Sequence, residues 1–150
     1  MSNVYVVGSA MTVFGRHLER SLDDLAREAL QGALKDAGCA VGDLGAAFYS
    51  GITNGTLQGQ ISIPGQVIFS KIGIEGIPVY NVENACASGS SAFNLAVQSL
   101  KAGTADVALA IGAEKMNIPD KAKAFAIFEG GWDVSRAEQN AVTLLKMGEG

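Results

Sequence analysis

Apolar and polar residues follow two alternating patterns along this chain, and the alternation predicts strands separated by helices. Short apolar runs at residues 4–7, 46–50, 77–82 and 106–111 predict four buried strands. The longer segments between them repeat apolar residues every three or four positions, which is typical of amphipathic helices. We therefore expect an α/β fold, with a mixed, largely parallel sheet that is covered by helices on both faces.

Two of the predicted helices have clear terminal signals. Ser21 and Asp24 form a capping-box pair at the start of the first helix, and Gly38 follows its last apolar residue. The second helix covers about residues 63–72, with Pro64 near its start, where a missing N–H costs nothing.

Composition narrows the function classes. Of 150 residues, 48% are hydrophobic and 17% charged, which is typical of a well-buried globular protein. The net charge is −4 and the basic residues form no block, so we expect no nucleic-acid partner.

No apolar run approaches the ~20 residues of a membrane span, and the N-terminus lacks the basic and apolar regions of a secretory signal. Two cysteines without a framework and a single histidine predict neither a disulfide scaffold nor a metal site, and cytoplasmic localisation is expected.

The chemically most informative residue is Cys86, which lies where the strand at 77–82 gives way to a third helix that ends near Gly103. Backbone N–H groups and the positive end of the helix dipole favour a thiolate at such a position. The small residues around Cys86 leave room for a substrate, whereas a structural cysteine would be expected among larger apolar neighbours. Both interpretations stay open from the residues alone.

Several motifs, in order, resemble the N-terminal half of a thiolase of the sterol-carrier-protein type, over about the first 118 residues. They are Phe14-Gly15-Arg16, the glycine-rich segment that begins at Gly51, the run from Asn84 to Ala92 around Cys86, and Gly112-Ala113-Glu114-Lys115-Met116. The resemblance implies a fold of two similar halves, each with a five-stranded sheet. Residues 1–118 would be the N-terminal core half, residues 119–150 the start of the loop domain that covers coenzyme A, and the C-terminal half would lie outside this chain.

The resemblance also implies an activity. Cys86 would be the catalytic nucleophile that takes an acyl group from an acyl-CoA or a 3-oxoacyl-CoA, in thiolytic cleavage or Claisen condensation. The coenzyme A thioester would be a substrate, with no bound cofactor. Cys86, Gly89, Gly112 and Glu114 would form the oxyanion and active-site turn. The catalytic histidine, a second cysteine and an asparagine would come from the missing half.

A basic and aromatic stretch follows the last predicted strand. Lys121 and Lys123 could attract the phosphates of coenzyme A, and Phe125 and Trp132 could stack on its adenine. The alternative is a solvated basic edge beside two packed aromatic residues. We expect His17, the single histidine, to be a loop residue without a catalytic role, and Cys39 to be structural.

Other functions remain open from the sequence. A β-ketoacyl synthase also uses a cysteine between alanines, and a thiolase-like aldolase is a further enzyme alternative. A chain without a catalytic histidine could instead be a degenerate or split structural subunit. The resemblance further implies a homodimer or a dimer of dimers, and an association with a small zinc-ribbon/OB-fold protein.

Overall fold

A three-stranded parallel sheet organises the chain, in a computed structural model that describes residues 3–148. The strands are β1 (Ala46–Ser50), β2 (Val79–Val82) and β3 (Ala108–Gly112), and their order across the sheet is β2-β1-β3. Both neighbours run parallel to β1, with Tyr49 opposite Asn81 on one side and Ile111 on the other. The carboxyl ends of all three strands therefore lie at the same edge of the sheet.

In the part of the chain that the structure describes, six α-helices surround or follow the sheet: α1 (Leu22–Ala37), α2 (Asn54–Gln58), α3 (Pro64–Ile72), α4 (Ser88–Lys101), α5 (Lys121–Ala126) and α6 (Ala137–Met147). Short 3₁₀ turns lie at Val41–Asp43, Ala85–Ala87, Ile127–Gly131 and Val134–Arg136.

The terminal signals of α1 are confirmed. The Ser21 side chain accepts a hydrogen bond from the Asp24 N–H, and the Asp24 carboxylate accepts one from the Ser21 N–H. These two bonds hold the pKa of the Asp24 carboxyl below its usual value. Gly38 ends the helix with φ 65°, a left-handed conformation that glycine adopts without steric cost.

Two apolar clusters, one on each face, bury the sheet. Leu30, Tyr49 and Phe69 belong to the larger cluster, which joins α1 and α3 to one face of β1 and β3. Ala92 and Ala96 of α4 pack with Phe48 on the opposite face. Every residue of β1 is buried, as expected for a central strand that is covered on both sides. The predicted α/β fold with a parallel, helix-covered sheet is confirmed.

The prediction of a strand at residues 4–7 is wrong. This stretch is extended but pairs with no strand within residues 3–148, and it lies instead against α1, where the Ser9 N–H donates to Asp36 Oδ2 at 2.9 Å. Apolar patterning identified an extended segment, but a strand also needs a hydrogen-bonded neighbour. The two later strands are present but begin two residues after their predicted starts, at Val79 and Ala108.

The stretch after β3 packs more loosely than the sheet. Ala124 is the one buried residue between 119 and 148, and α6 has none. Within the described residues 3–148, no helix has the length and apolar character that crossing a bilayer requires.

Candidate active site

Cys86 lies in the 3₁₀ turn Ala85–Ala87, directly before the first residue of α4. Its side chain is exposed, and it lines a cavity of about 570 Å³ beyond the carboxyl ends of β1 and β3. The predicted placement of Cys86 at a strand-to-helix corner is therefore confirmed. An exposed thiol at a cavity wall is accessible to a reagent, unlike a cysteine enclosed in a core.

The turn around Cys86 is held by its neighbours. Ala85 has φ 45°, a left-handed conformation that is rare for a residue with a side chain, and its N–H donates to Glu83 Oε1 at 2.7 Å. The Ala87 N–H donates to the Asn84 carbonyl at 2.9 Å, and the Ser88 hydroxyl donates to the Ala85 carbonyl. Among residues 3–148, no acceptor is found for the Cys86 N–H, and Cys86 lines the cavity.

Gly112 lets the backbone of β3 approach Ser50 at the end of β1, whereas Gly89 lies near Ser50 at a distance that a side chain would also tolerate. A Cβ at Gly112 would lie 2.6 Å from Ser50 Oγ, far closer than carbon and oxygen can pack, and a Cβ at Gly89 would lie 4.0 Å from the same atom. Gly112, Gly89 and Ser50 all line the Cys86 cavity. The small residues that the sequence places near Cys86 therefore do form an open wall.

Glu114 holds together the part of the cavity wall that is formed by the turn after β1 and the end of β3. Its carboxylate accepts hydrogen bonds from the Ile52 N–H at 2.6 Å, from the Thr53 N–H at 3.2 Å and from the Thr53 hydroxyl. Thr53 is fully buried, so these bonds also satisfy a polar side chain that water does not reach. Glu114 thus fixes the turn after β1 against the end of β3, and Glu114 and Ile52 both line the cavity.

A buried tyrosine lies behind this turn. The Tyr49 hydroxyl is 3.1 Å from the Ala113 carbonyl oxygen and 3.2 Å from Asn54 Oδ1. Burial is the main cause that raises the pKa of Tyr49, the bond to Asn54 partly opposes it, and the negative charges of Glu114 and Asp23 add to it, so that the pKa is about 12. The neutral phenol is therefore the form that the fold stabilises.

Lys115, the residue after Glu114, anchors a different loop. Its ammonium donates to the Leu18 carbonyl at 2.9 Å and to the Arg20 carbonyl, and its own carbonyl accepts from Gln58 Nε2 at 3.3 Å. Adjacent residues of opposite charge therefore secure two loops that are distant in sequence at the carboxyl edge of the sheet.

The cavity is covered by the segment that follows α5. Ile127, Phe128, Gly130 and Gly131 line it from this side. Sequence reasoning missed Phe128, and it also missed Ser50, Ile52 and Glu83 of the opposite walls. The position of Ser50 at the carboxyl end of a parallel strand, where α/β proteins place their sites, was the available signal.

The structure brings some of the predicted site residues together and not others. Cys86, Gly89, Gly112 and Glu114 line one cavity. Within residues 3–148, Lys121, Lys123, Phe125 and Trp132 lie on the surface near its covering segment and not on its wall. Lys121 Nζ donates to Asn117 Oδ1 at 3.0 Å, and Phe125 packs against Phe128 with ring centroids 6.2 Å apart.

The single histidine and the second cysteine lie elsewhere. His17 Nε2 is 2.7 Å from the Val13 carbonyl oxygen, so its N–H donates a hydrogen bond to that oxygen, and His17 is a loop residue outside the cavity wall. Cys39 is partly buried next to the end of α1, with its sulfur 3.7 Å from the Ala37 carbonyl oxygen.

Comparison with known proteins identifies the family. The family model described as "Thiolase, N-terminal domain" matches residues 4–147. The chain belongs to the thiolase family. The match covers nearly all of the described residues, including the Cys86 corner and the turn that carries Glu114.

Curated proteins and a solved structure agree with this assignment. The chain is 40% identical over 115 residues to sterol carrier protein 2 of Gallus gallus, covering 75% of this chain and 20% of that protein. It is 40% identical over 112 residues to the benzoylsuccinyl-CoA thiolase subunit BbsB of Thauera aromatica, covering 74% and 28%. The structure of acetyl-CoA acetyltransferase from Syntrophomonas wolfei superimposes with a TM-score of 0.57 at 29% identity, covering 69% and 27%. The thiolase chain described here therefore spans less than a third of the length of these relatives.

Proposed function

We propose that this chain provides the nucleophile-bearing part of a thiolase-type acyltransferase, with Cys86 as the residue that is acylated. The observation that carries the proposal is the position of Cys86. Its thiol is exposed at a cavity of about 570 Å³, at the carboxyl edge of a parallel sheet, in a chain of the thiolase family. The solved structure named above is that of an acetyl-CoA acetyltransferase, an enzyme that transfers an acyl group.

In the proposed reaction, the Cys86 thiolate attacks the thioester carbonyl carbon of an acyl-CoA. A bond forms between that carbon and Sγ, the bond to the coenzyme A sulfur breaks, and coenzyme A leaves and takes up a proton. With a 3-oxoacyl-CoA, Sγ attacks the 3-oxo carbon instead, and the carbon–carbon bond breaks to release acetyl-CoA after its enolate is protonated. Covalent catalysis of this kind divides one difficult step into two easier ones.

The N–H of Cys86 supports the proposal, because it can donate to the oxyanion that develops on the acyl carbonyl. Removal of one such donor typically lowers a rate by ~10²–10³. The base that removes the thiol proton is proposed to come from outside this chain, because His17 is bound to the Val13 carbonyl and lies off the cavity wall.

Coenzyme A recognition by Lys121, Lys123, Phe125 and Trp132 stays a prediction. All four are exposed on the segment that covers the cavity, so they are accessible to a molecule that enters from that side. The acyl group would then occupy the space beside Phe128, Gly112 and Cys86.

The test is acylation of the complete enzyme, followed by intact-protein and peptide mass spectrometry after brief exposure to acetyl-CoA and to longer acyl-CoAs. We expect one acyl group per chain on Cys86, no acylation of Cys86→Ala, and normal acylation of Cys39→Ala, the matched control at the second free cysteine. Acylation of Cys86→Ala at the normal rate, or recovery of the acyl group on Cys39, would falsify the assignment.

A further inference from the structure

Glu83 connects the end of β2 to the turn that carries Cys86. It directly follows Val82, the last residue of β2, which is paired with Ser50 of β1. Its carboxylate accepts a hydrogen bond from the Ala85 N–H, with 2.7 Å between Oε1 and the nitrogen. A bond of this length to a charged acceptor belongs to the stronger class of protein hydrogen bonds. The bond therefore fastens the Cys86 turn to the sheet.

Glu83 supplies the cap that the turn Ala85–Ala87 needs at its start. The first N–H groups of a helical turn have no partner within it, and an asparagine directly before the turn commonly accepts from them. Asn84 occupies that position but makes no such bond in the described part of the chain, and its Nδ2 instead donates to Ser91 Oγ at 2.9 Å. The carboxylate one residue earlier takes over the capping role.

Ala85 lies in a conformation that needs support from its neighbours. Its φ is 45°, in the left-handed region that a residue with a side chain rarely adopts. The Ser88 hydroxyl donates to the Ala85 carbonyl, so Ala85 is bound through both of its backbone polar groups. A change to the usual φ near −60° would rotate the chain about the N–Cα bond by roughly 100°. Because Cys86 is the next residue, this rotation would redirect its N–H and its thiol.

We propose that Glu83 is a positioning residue for the acylation of Cys86. Its carboxylate holds Ala85 in the left-handed conformation, and this conformation directs the Cys86 N–H and thiol into the cavity that Glu83 and Cys86 both line. Glu83 acts through Ala85, so it forms no bond with the acyl group and takes up no proton. This role rests on the proposed function of Cys86, whereas the hold on Ala85 is a property of the turn itself.

Two other roles for this carboxylate make different demands. A general base must take up a proton, which a carboxylate can do and an amide cannot. A solvated surface charge contributes through its charge alone, and any carboxylate at a similar position would act in the same way. Positioning needs only a hydrogen-bond acceptor of the same reach, which glutamine supplies in its amide oxygen. Glu83→Gln and Glu83→Ala therefore separate the three roles.

The test measures acylation of Cys86 in the complete enzyme over a range of acetyl-CoA concentrations, by rapid quenching and mass spectrometry. Glu83→Ala should lower the maximal acylation rate by roughly tenfold or more, because the nucleophile is misdirected. The half-saturating acetyl-CoA concentration should change by less than about twofold, because the cavity is retained. Glu83→Gln should keep the maximal rate within about threefold of normal. Glu75→Ala, which removes the same charge from an exposed position outside the cavity wall, should change neither quantity.

Ala85→Gly gives a second readout. Glycine adopts the left-handed conformation without steric cost, so this substitution in the Glu83→Ala enzyme should raise the acylation rate by about threefold or more. In the normal enzyme the same substitution should alter the rate by less than about twofold. Urea unfolding of each variant controls for a general change in stability.

Crystal structures of the variants test the hold on Ala85 without reference to acylation. The φ angle of Ala85 should stay positive in Glu83→Gln and become negative in Glu83→Ala. A normal enzyme that is not acylated on Cys86 would overturn the proposed function, and these φ angles would then decide the role of Glu83 in the turn.

Three results would overturn the role of Glu83. The first is a normal rate for Glu83→Ala beside a normal enzyme that is acylated on Cys86. The second is a tenfold loss in Glu83→Gln, because a base and not an acceptor would then be required. The third is a positive φ at Ala85 in Glu83→Ala, because other contacts would then hold the turn.

Discussion

The residue directly before the candidate nucleophile has a strained backbone. Ala85 has φ 45°, and a left-handed conformation costs a non-glycine residue roughly 1–2 kcal/mol. Strain of this kind persists where surrounding contacts enforce it, here the bond from the Ala85 N–H to Glu83 and the bond from the Ser88 hydroxyl. The turn therefore stores energy at the residue directly before Cys86.

Replacement of Ala85 with glycine tests this strain. We expect Ala85→Gly to leave the free energy of unfolding unchanged or to raise it by up to about 1 kcal/mol, because relief of strain offsets the added freedom of the unfolded chain. The control is Gln31→Gly, at an exposed position inside α1, which should lower it by roughly 0.5–1 kcal/mol. Urea unfolding measures both, and equal losses for the two variants would contradict the expectation.

The buried phenol of Tyr49 predicts a dependence of stability on alkaline pH. Its pKa is about 12 in the folded chain against 10.0 ordinarily, so the phenol is neutral in both states below pH 10 and its full contribution is present there. Between pH 10 and about 12 only the unfolded state ionises, and stability is lost as pH rises.

The size of the expected change in unfolding free energy follows from the raised pKa of Tyr49. The difference in unfolding free energy between the normal chain and Tyr49→Phe should shrink by on the order of 2 kcal/mol between pH 10 and pH 12. Denaturant titrations at several pH values provide the measurement. A difference that stays constant over this range would show that the Tyr49 hydroxyl is not held in its neutral form.

At the scale of elements, close backbone contact at Gly8 fixes the extended N-terminal segment to α1. A Cβ at Gly8 would lie 2.4 Å from the Ala33 carbonyl oxygen and 2.6 Å from the Ala37 nitrogen, and neither backbone atom can move without disturbing the helix. The segment therefore depends on glycine at this position for its path along α1.

Gly8→Ala should displace the segment from α1. We expect the Ser9 N–H, which donates to Asp36, to exchange at least tenfold faster in hydrogen-exchange NMR, while the amides of β1 keep their protection. Gly42→Ala is the control, because nothing lies within 4 Å of a Cβ there. Unchanged exchange at Ser9 would mean that the segment is held by contacts other than the approach at Gly8.

Among the helices and strands, the sequence predicted correctly those whose ends are set by local contacts. The ends of α1 follow from local chemistry, namely the Ser21–Asp24 pair and Gly38, and the structure confirms them. The strand expected at residues 4–7 depends on a neighbour that the local pattern cannot supply. The five-residue helix α2 has no side-chain cap and too few residues for a periodic signal, so no local pattern predicted it.

Some residues of the candidate site were indicated by local sequence patterns, and others were not. Cys86, Gly89 and Glu114 could be selected from motifs and from strand-to-helix positions. Glu83 and Phe128 also line the cavity, but only the three-dimensional course of the chain brings them there. The bonds from Glu114 to Ile52 and Thr53 span about sixty positions, and sequence spacing alone contains no sign of them.

For the whole molecule, few residues are buried in the part of the chain that follows the sheet. Residues 119–148 contain one buried residue, whereas the sheet and its helices hold both apolar clusters. A segment with so little buried apolar surface opens at low free energy cost. The predicted boundary at residue 118 therefore has a physical consequence that can be measured.

Limited trypsin digestion should cleave first after Lys121, Lys123 and Arg136, and leave a resistant core that ends near residue 121. Release of the only tryptophan, Trp132, with the cleaved segment gives an independent fluorescence signal. Arg27 and Lys71 lie in helices that pack on the sheet and serve as internal controls. Cleavage there at a comparable rate would contradict a separate, loosely packed C-terminal segment.

The hydrogen bonds of Glu114 and Lys115 to earlier loops can form only late in the synthesis of the chain. Lys115 bonds to carbonyls 95 and 97 positions earlier, and Glu114 bonds 61 and 62 positions back. On a ribosome, both loops emerge long before the two residues that anchor them, and one of these loops, at Ile52, borders the cavity. Cys86 therefore emerges before the residue that completes one wall of its cavity, and a chaperone or an early binding partner would meet it without that wall.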